Sequence, residues 1–171
     1  MLEEELLEKY RNGFGEFDWE TLSYKETLSE AFIEKHADEV DWYYISKYQH
    51  LSEAFIERHA EDVNWRLISK RQHLSKNFIE KHAAKVDWER ISTYQHLSED
   101  FIKKHIDKIN VEIIASRPEY RKEFIDELRE LQRDNKNKII NDTKLPTNVV
   151  SSQDRSGMLD KVVNKEEDIK R

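Results

Sequence analysis

Apolar residues recur along this chain at helical spacing, and the whole pattern of apolar and polar positions recurs every 23 residues. The run LSEAFIEKHADEVDWYYISKYQH occupies Leu28 to His50, returns at Leu51 to His73, and returns again at Leu74 to His96 without a gap. A fourth copy, Leu97 to Glu119, keeps the register but changes late, with Val111 in the Trp place, Ala115 in a Ser place and Pro118-Glu119 replacing Gln-His. Self-similarity at a fixed short period is the signature of a repeat architecture. Within each copy Phe32-Ile33 and His36-Ala37 lie at i,i+4 spacing on one helix face, and Trp42 and Ile45 lie at i,i+3 on a second. Ser29, Ser52, Ser75 and Ser98 precede the first run, and Asp41, Asn64, Asp87 and Asn110 precede the second. All are residues whose side-chain oxygens satisfy the free N–H groups at a helix start. Each copy is therefore predicted to be helix A, a tight connector and helix B.

The register extends outward in both directions. Tyr120 to Ile125 matches the first half of a copy, so 120–133 reads as a terminal half repeat. Asp18 to Ser23 matches a second half, and Leu6-Leu7-Glu8-Lys9 resembles a first half, with extra residues at Asn12-Gly13-Phe14-Gly15. Residues 1–27 thus form a degenerate first repeat, followed by repeats 28–50, 51–73, 74–96 and 97–119. One copy alone buries too little apolar surface to offset the entropy of ordering it, so copies must stack on one another. The expected fold is all-α, a right-handed α-solenoid of short helix-turn-helix units over 1–133. From Asp134 onward the periodicity and the aromatics stop, and 134–171 reads as a disordered tail. Within it Ser156 to Lys170 could form a weak helix with Met158, Leu159, Val162 and Val163 on one side.

Composition narrows the function classes. The chain is 38% charged with only three Gly and two Pro, and cysteine is absent, which removes disulfides, thiolate metal sites and cysteine nucleophiles. The net charge of −7 is spread through mixed sequence, so nothing marks the chain as a polyelectrolyte binder of nucleic acid or membrane. The acidic start, Met1-Leu2-Glu3-Glu4-Glu5, is unlike a signal peptide, and no apolar stretch reaches the length of a membrane span, so a cytoplasmic protein without membrane contact is expected. Nothing in the pattern demands an oligomer, and a monomer is expected.

Runs of the form LSExFIEKHAxxVDWxxISxYQH resemble the short tandem helical repeats of proteins from large DNA viruses and bacteriophages, over residues 18–130. That resemblance implies a helical repeat fold and a viral or phage setting. It carries no implied activity.

The seven His residues fall at two repeat positions, His36/59/82/105 and His50/73/96. Equivalent atoms in stacked helices lie roughly 8–10 Å apart, whereas zinc needs each ligand at about 2.0–2.1 Å. Packing or helix capping is the expected role, and no metal or cofactor is expected. Catalysis needs one singular constellation, but every Ser, His and Asp here recurs with the repeat, so the chain is expected not to be an enzyme.

The positions that vary while the core repeats are the candidates for recognition. On helix B they are Tyr43, Tyr44, Lys47 and Tyr48, then Arg66, Leu67, Lys70 and Arg71, then Glu89, Arg90, Thr93 and Tyr94, then Glu112, Ile113, Ser116 and Arg117. From these the expected partner-binding residues are Tyr43, Tyr44, Lys47, Tyr48, Arg66, Lys70, Arg71, Arg90, Tyr94 and Arg117, because Tyr and Arg dominate interface hot spots. The outward positions of helix A, among them Glu53, Glu57 and Glu61, are acidic, and their reversal is expected to leave binding nearly unchanged. A protein partner is the leading expectation. The alternative is a nucleic acid held on the same basic and aromatic face, although a surface that tracks a phosphate backbone should carry its cations at the same place in every copy, and this one does not.

Overall fold

The computed structural model describes residues 3–143. Its helices are α1 (Glu3–Lys9), α2 (Trp19–Lys25), α3 (Glu30–Lys35), α4 (Trp42–Tyr48), α5 (Glu53–Arg58), α6 (Trp65–Arg71), α7 (Lys76–Lys81), α8 (Trp88–Tyr94), α9 (Glu99–Lys104), α10 (Val111–Ala115) and α11 (Lys122–Thr143). Among the described residues there is no strand, and odd-numbered helix A alternates with even-numbered helix B as the repeat predicts. The local reason is capping. Ser29, Ser52, Ser75 and Ser98 accept from the N–H of Phe32, Phe55, Phe78 and Phe101, and Asp41, Asn64, Asp87 and Asn110 do the same for helix B.

Helices of six or seven residues are far below the length at which a helix is stable alone, so stacking holds this one together. Helix B packs directly on helix B of the next copy, α2 on α4, α4 on α6, α6 on α8 and α8 on α10. The residue at each crossing is a fully buried serine, Ser23, Ser46, Ser69 or Ser92, small enough to let the backbones approach. Its hydroxyl accepts from the backbone N–H that opens the next helix B, at Asp41, Asn64, Asp87 or Asn110, over 2.9–3.1 Å. Two isoleucines per copy, such as Ile33 and Ile45, are fully excluded from solvent and form the core. The core has two segments that meet around Trp65 and Leu74.

The tryptophans differ from a simple core reading. Trp42, Trp65 and Trp88 are only partly buried, and their indole N–H groups donate to the carbonyls of Ala37, Ala60 and Ala83 at 2.8–2.9 Å. Each ring covers the core and stacks on helix A of the next copy, as Trp65 does on Phe78 and His82. An indole N–H needs an acceptor when it is removed from water, and the nearest is the connector of its own repeat.

A second ladder runs through the Gln-His junction. Gln95 is buried, its carbonyl accepts from the N–H of Leu74, and its amide donates to the carbonyls of Ser69 and Gln72. Gln49 makes the same three bonds to Leu28, Ser23 and Glu26, and Gln72 bonds Leu51 and Gln49. Each glutamine thus satisfies carbonyls left open at the C-terminus of the preceding helix B. The adjacent His50, His73 and His96 are exposed, so packing and capping at the junction belong to the glutamines.

At the start, the extra residues form a tight loop closed by a bridge between Arg11 and Phe17. Asn12 Oδ1 accepts from the N–H of Phe14 and Glu16, Arg11 donates to the Gly15 carbonyl, and Gly15 has a positive φ of 85° that a side chain would strain. The loop carries Phe14 almost wholly in solvent. At the other end Phe124, Ile125 and Leu128 of α11 close the core.

The repeats form one compact unit that ends at Asp134. α11 nonetheless runs to Thr143, so the tail expected from 134 is helical over its first ten residues. A charged, aromatic-free stretch still propagates a helix that packing has already nucleated. The weak helix expected at Ser156 to Lys170 lies outside the described residues.

Candidate functional site

The outward faces of α4, α6 and α8 carry nine of the ten residues expected to bind a partner. Each sits beside the fully buried Ile-Ser pair of its helix, which fixes the helix about its axis and turns the variable positions outward. Tyr43, Tyr48 and Tyr94 are 48%, 49% and 45% exposed, a large fraction for aromatic rings. Tyr44 and Tyr48 stack in near-parallel planes with centroids 6.1 Å apart, and Tyr43 meets Tyr44 edge-on at 5.3 Å. The ammonium of Lys47 lies 4.9 Å from the Tyr48 centroid and 5.4 Å from that of Tyr43. Its contact with Tyr48 is the main cause that holds its pKa above the usual lysine value.

Tyr24 of α2 completes this cluster, with its ring 5.3 Å from Tyr44 and 6.4 Å from Tyr48. It occupies the Lys47 position of the degenerate first repeat, so alignment of the copies is the signal that finds it. Tyr44 donates to Glu20 of the same helix α2 at 3.1 Å, and that bond raises its pKa.

Farther along, the face turns basic. Lys70 lies 5.1 Å from the Tyr94 centroid. Arg66 makes one loose contact, 3.7 Å to Asp87. Among the described residues no carboxylate pairs with Lys70, Arg71 or the Arg90 guanidinium. A shallow groove runs here between Tyr43, Asn64, Arg66, Leu67, Lys70 and Arg90.

Arg117 must be removed from the expected set. Its guanidinium donates to the carbonyls of Ser92 and Gln95, both at 2.8 Å, and pairs with Glu119 at 2.6 Å, leaving the side chain 15% exposed. Pro118 stands where the other copies have glutamine, and Arg117 takes over the capping of α8 that glutamine performs elsewhere.

The helix A face also differs from the expectation of a plain acidic surface. Glu53 accepts from the N–H and hydroxyl of Ser75, Glu57 pairs with Lys81 and His82 at 2.9 Å, and Glu61 pairs with Lys85. The pattern repeats where Glu30 caps Ser52 and Glu80 pairs with Lys104 and His105. These acids bind one copy to the next. The carboxyls of Glu57 and Glu80 are held below the ordinary range, first by the lysine and then by the histidine.

The His36/59/82/105 ladder lies between the aromatic rings of two copies. His59 packs 4.7 Å from Trp42 and 4.6 Å from Phe55. Its Nε2 is 3.3 Å from Glu34, close enough for attraction but misaligned for a hydrogen bond, and has no hydrogen-bond partner. Among the described residues no group of three or more His, Asp or Glu is gathered as a metal ion requires. No described helix is long and apolar enough to cross a membrane. The chain matches no family model, no curated protein and no solved structure, which leaves the chemistry of these faces as the ground for assigning function.

Proposed function

We propose that the chain is a non-catalytic helical-repeat scaffold that binds a protein partner through its helix B face, acting in the cytoplasm as a viral or phage factor on a host protein. The observation that carries this reading is the tyrosine cluster in which exposed Tyr24, Tyr43 and Tyr48 pack around half-buried Tyr44, bordered by the basic groups of α6 and α8. Exposed aromatics packed on one another present large area with little entropy to lose, which is what interface anchors need. The charges of helix A are mostly matched between copies, whereas those of the helix B face are not. The recurring cap serines and aspartates and the His36/59/82/105 ladder are taken up by capping and inter-repeat contacts, which supports the non-catalytic reading. The resemblance of the repeat to those of large DNA viruses and phages supports the setting.

The test is capture from host lysate with the full chain and its Tyr43→Ala/Tyr48→Ala variant side by side. Both side chains are half exposed, so the variant keeps its circular dichroism spectrum, and it loses the proteins that the unaltered chain retains. Equal capture by both would end the assignment of this face. A second reading, a nucleic-acid binder, draws on the cations interleaved with rings at Lys47 and Lys70. Anisotropy titrations with single-stranded RNA and DNA at two salt concentrations separate the readings, because phosphate contacts weaken steeply with salt.

A further inference from the structure

Resting on the reading of the helix B face as a protein-binding surface, the charge pattern says what kind of segment that protein presents. We propose that the face takes a short, extended, acidic segment with one apolar side chain between its carboxylates.

The cations Lys47, Arg66, Lys70, Arg71 and Arg90 lie on three consecutive helices B, α4, α6 and α8. The carboxylates on those helices are Glu89 on α8 and the capping residues Asp41 and Asp87, which hold the N–H groups of Tyr43 and Arg90, with the second oxygen of Asp87 3.7 Å from Arg66. Beyond α4 the next helix presents Glu20, bonded to Tyr44, and Lys25, which lies 5.8 Å from the Tyr24 centroid, and beyond α8 the next presents Glu112, paired with Arg129. These five cations are therefore gathered on α4, α6 and α8, and the positive region they form lies between Glu20 and Glu112. Packed helices lie roughly 8–10 Å apart, so it spans about 16–20 Å, the reach of about five or six extended residues at ~3.3 Å each.

The floor of the groove supplies the apolar requirement. Leu67 is half-buried at an outward position of α6, with Arg66, Lys70 and Arg90 around it and Tyr43 at one end. A leucine ringed by three cations fits an apolar side chain flanked by acids better than an all-acidic strand. The same geometry disfavours a polynucleotide. The tyrosine faces that bases would stack on already touch one another or lie under Lys47 and Lys70.

The probe is a fluorescein-labelled peptide of aspartates and glutamates around a central leucine, titrated by anisotropy against the full chain. Controls are the same peptide with glycine for leucine, and oligo-dT and oligo-U of equal charge. The acidic peptide is expected to bind more tightly than any control. Arg66→Glu/Arg90→Glu is expected to weaken it by about tenfold or more, the effect of ~1.4 kcal/mol, with circular dichroism unchanged. An oligonucleotide that binds more tightly than the peptide, or a peptide affinity indifferent to the double reversal, overturns the proposal. If no peptide binds while Tyr43→Ala/Tyr48→Ala still abolishes capture of a host protein, the acidic segment is wrong and the protein-binding reading survives. If capture is also indifferent to the tyrosines, both fall.

Discussion

Replacing Gln95 by methionine tests the junction ladder directly. Methionine matches glutamine in length and packs without strain, so the change removes polar contacts and leaves volume nearly constant. Three hydrogen bonds disappear, from Leu74 N–H at 3.1 Å and to the carbonyls of Ser69 and Gln72 at 3.0 and 2.7 Å. Each is worth about 0.5–1.5 kcal/mol net, and the partners left behind are removed from water, so the sum is about 2–4 kcal/mol. In a solenoid, stability adds up through neighbouring interfaces, so the damage concentrates between the repeats 51–73 and 74–96. Urea denaturation measures the loss, and hydrogen exchange at the Leu74 amide measures where it falls. A cost under about 0.5 kcal/mol with the Leu74 amide still protected would show that the ladder contributes nothing to cohesion.

Trp65→Ala is expected to cost about 2–3 kcal/mol, below the ~3–5 typical of a fully buried aromatic, because part of the ring already meets solvent; a chemical denaturation midpoint unmoved by the change would refute its role as a cover. Arg117→Ala strands the carbonyls of Ser92 and Gln95 and should lower stability by about 1–3 kcal/mol while leaving partner affinity unchanged, and a loss of affinity at full stability would return Arg117 to the binding face. Glu57 and Glu80 have folded pKa values below their unfolded ones, so their contribution is complete above the ordinary carboxylate value of about 4.3 and is lost as pH falls through the lower folded values. Melting temperature should therefore drop in that acid window, and Glu57→Gln/Glu80→Gln should flatten the drop. An identical acid slope in the variant would refute the linkage.

The amino-acid sequence by itself determined the 23-residue unit, its two helices, and the serine and Asp/Asn caps, because each of these rests on contacts within four residues along the chain. The buried faces followed from i,i+3 and i,i+4 spacing, and Ile33 and Ile45 with their counterparts are the fully buried core. What the tertiary structure decided lies 17 or more residues away in sequence. Gln95 meets groups 21, 23 and 26 residues earlier, and its role depends on the rise and rotation between copies, which the period alone does not reveal. The same holds for the acids of helix A, which look like free surface in one copy and become ties once the next copy is stacked on it. Arg117 looked like one more surface cation until the missing glutamine at Pro118 left two carbonyls open beside it. Tyr24 joins the tyrosine cluster only because α2 packs on α4. α11 continues past its last buried residues because a packed first half nucleates the polar second half, which no periodicity in residues 134–143 announces.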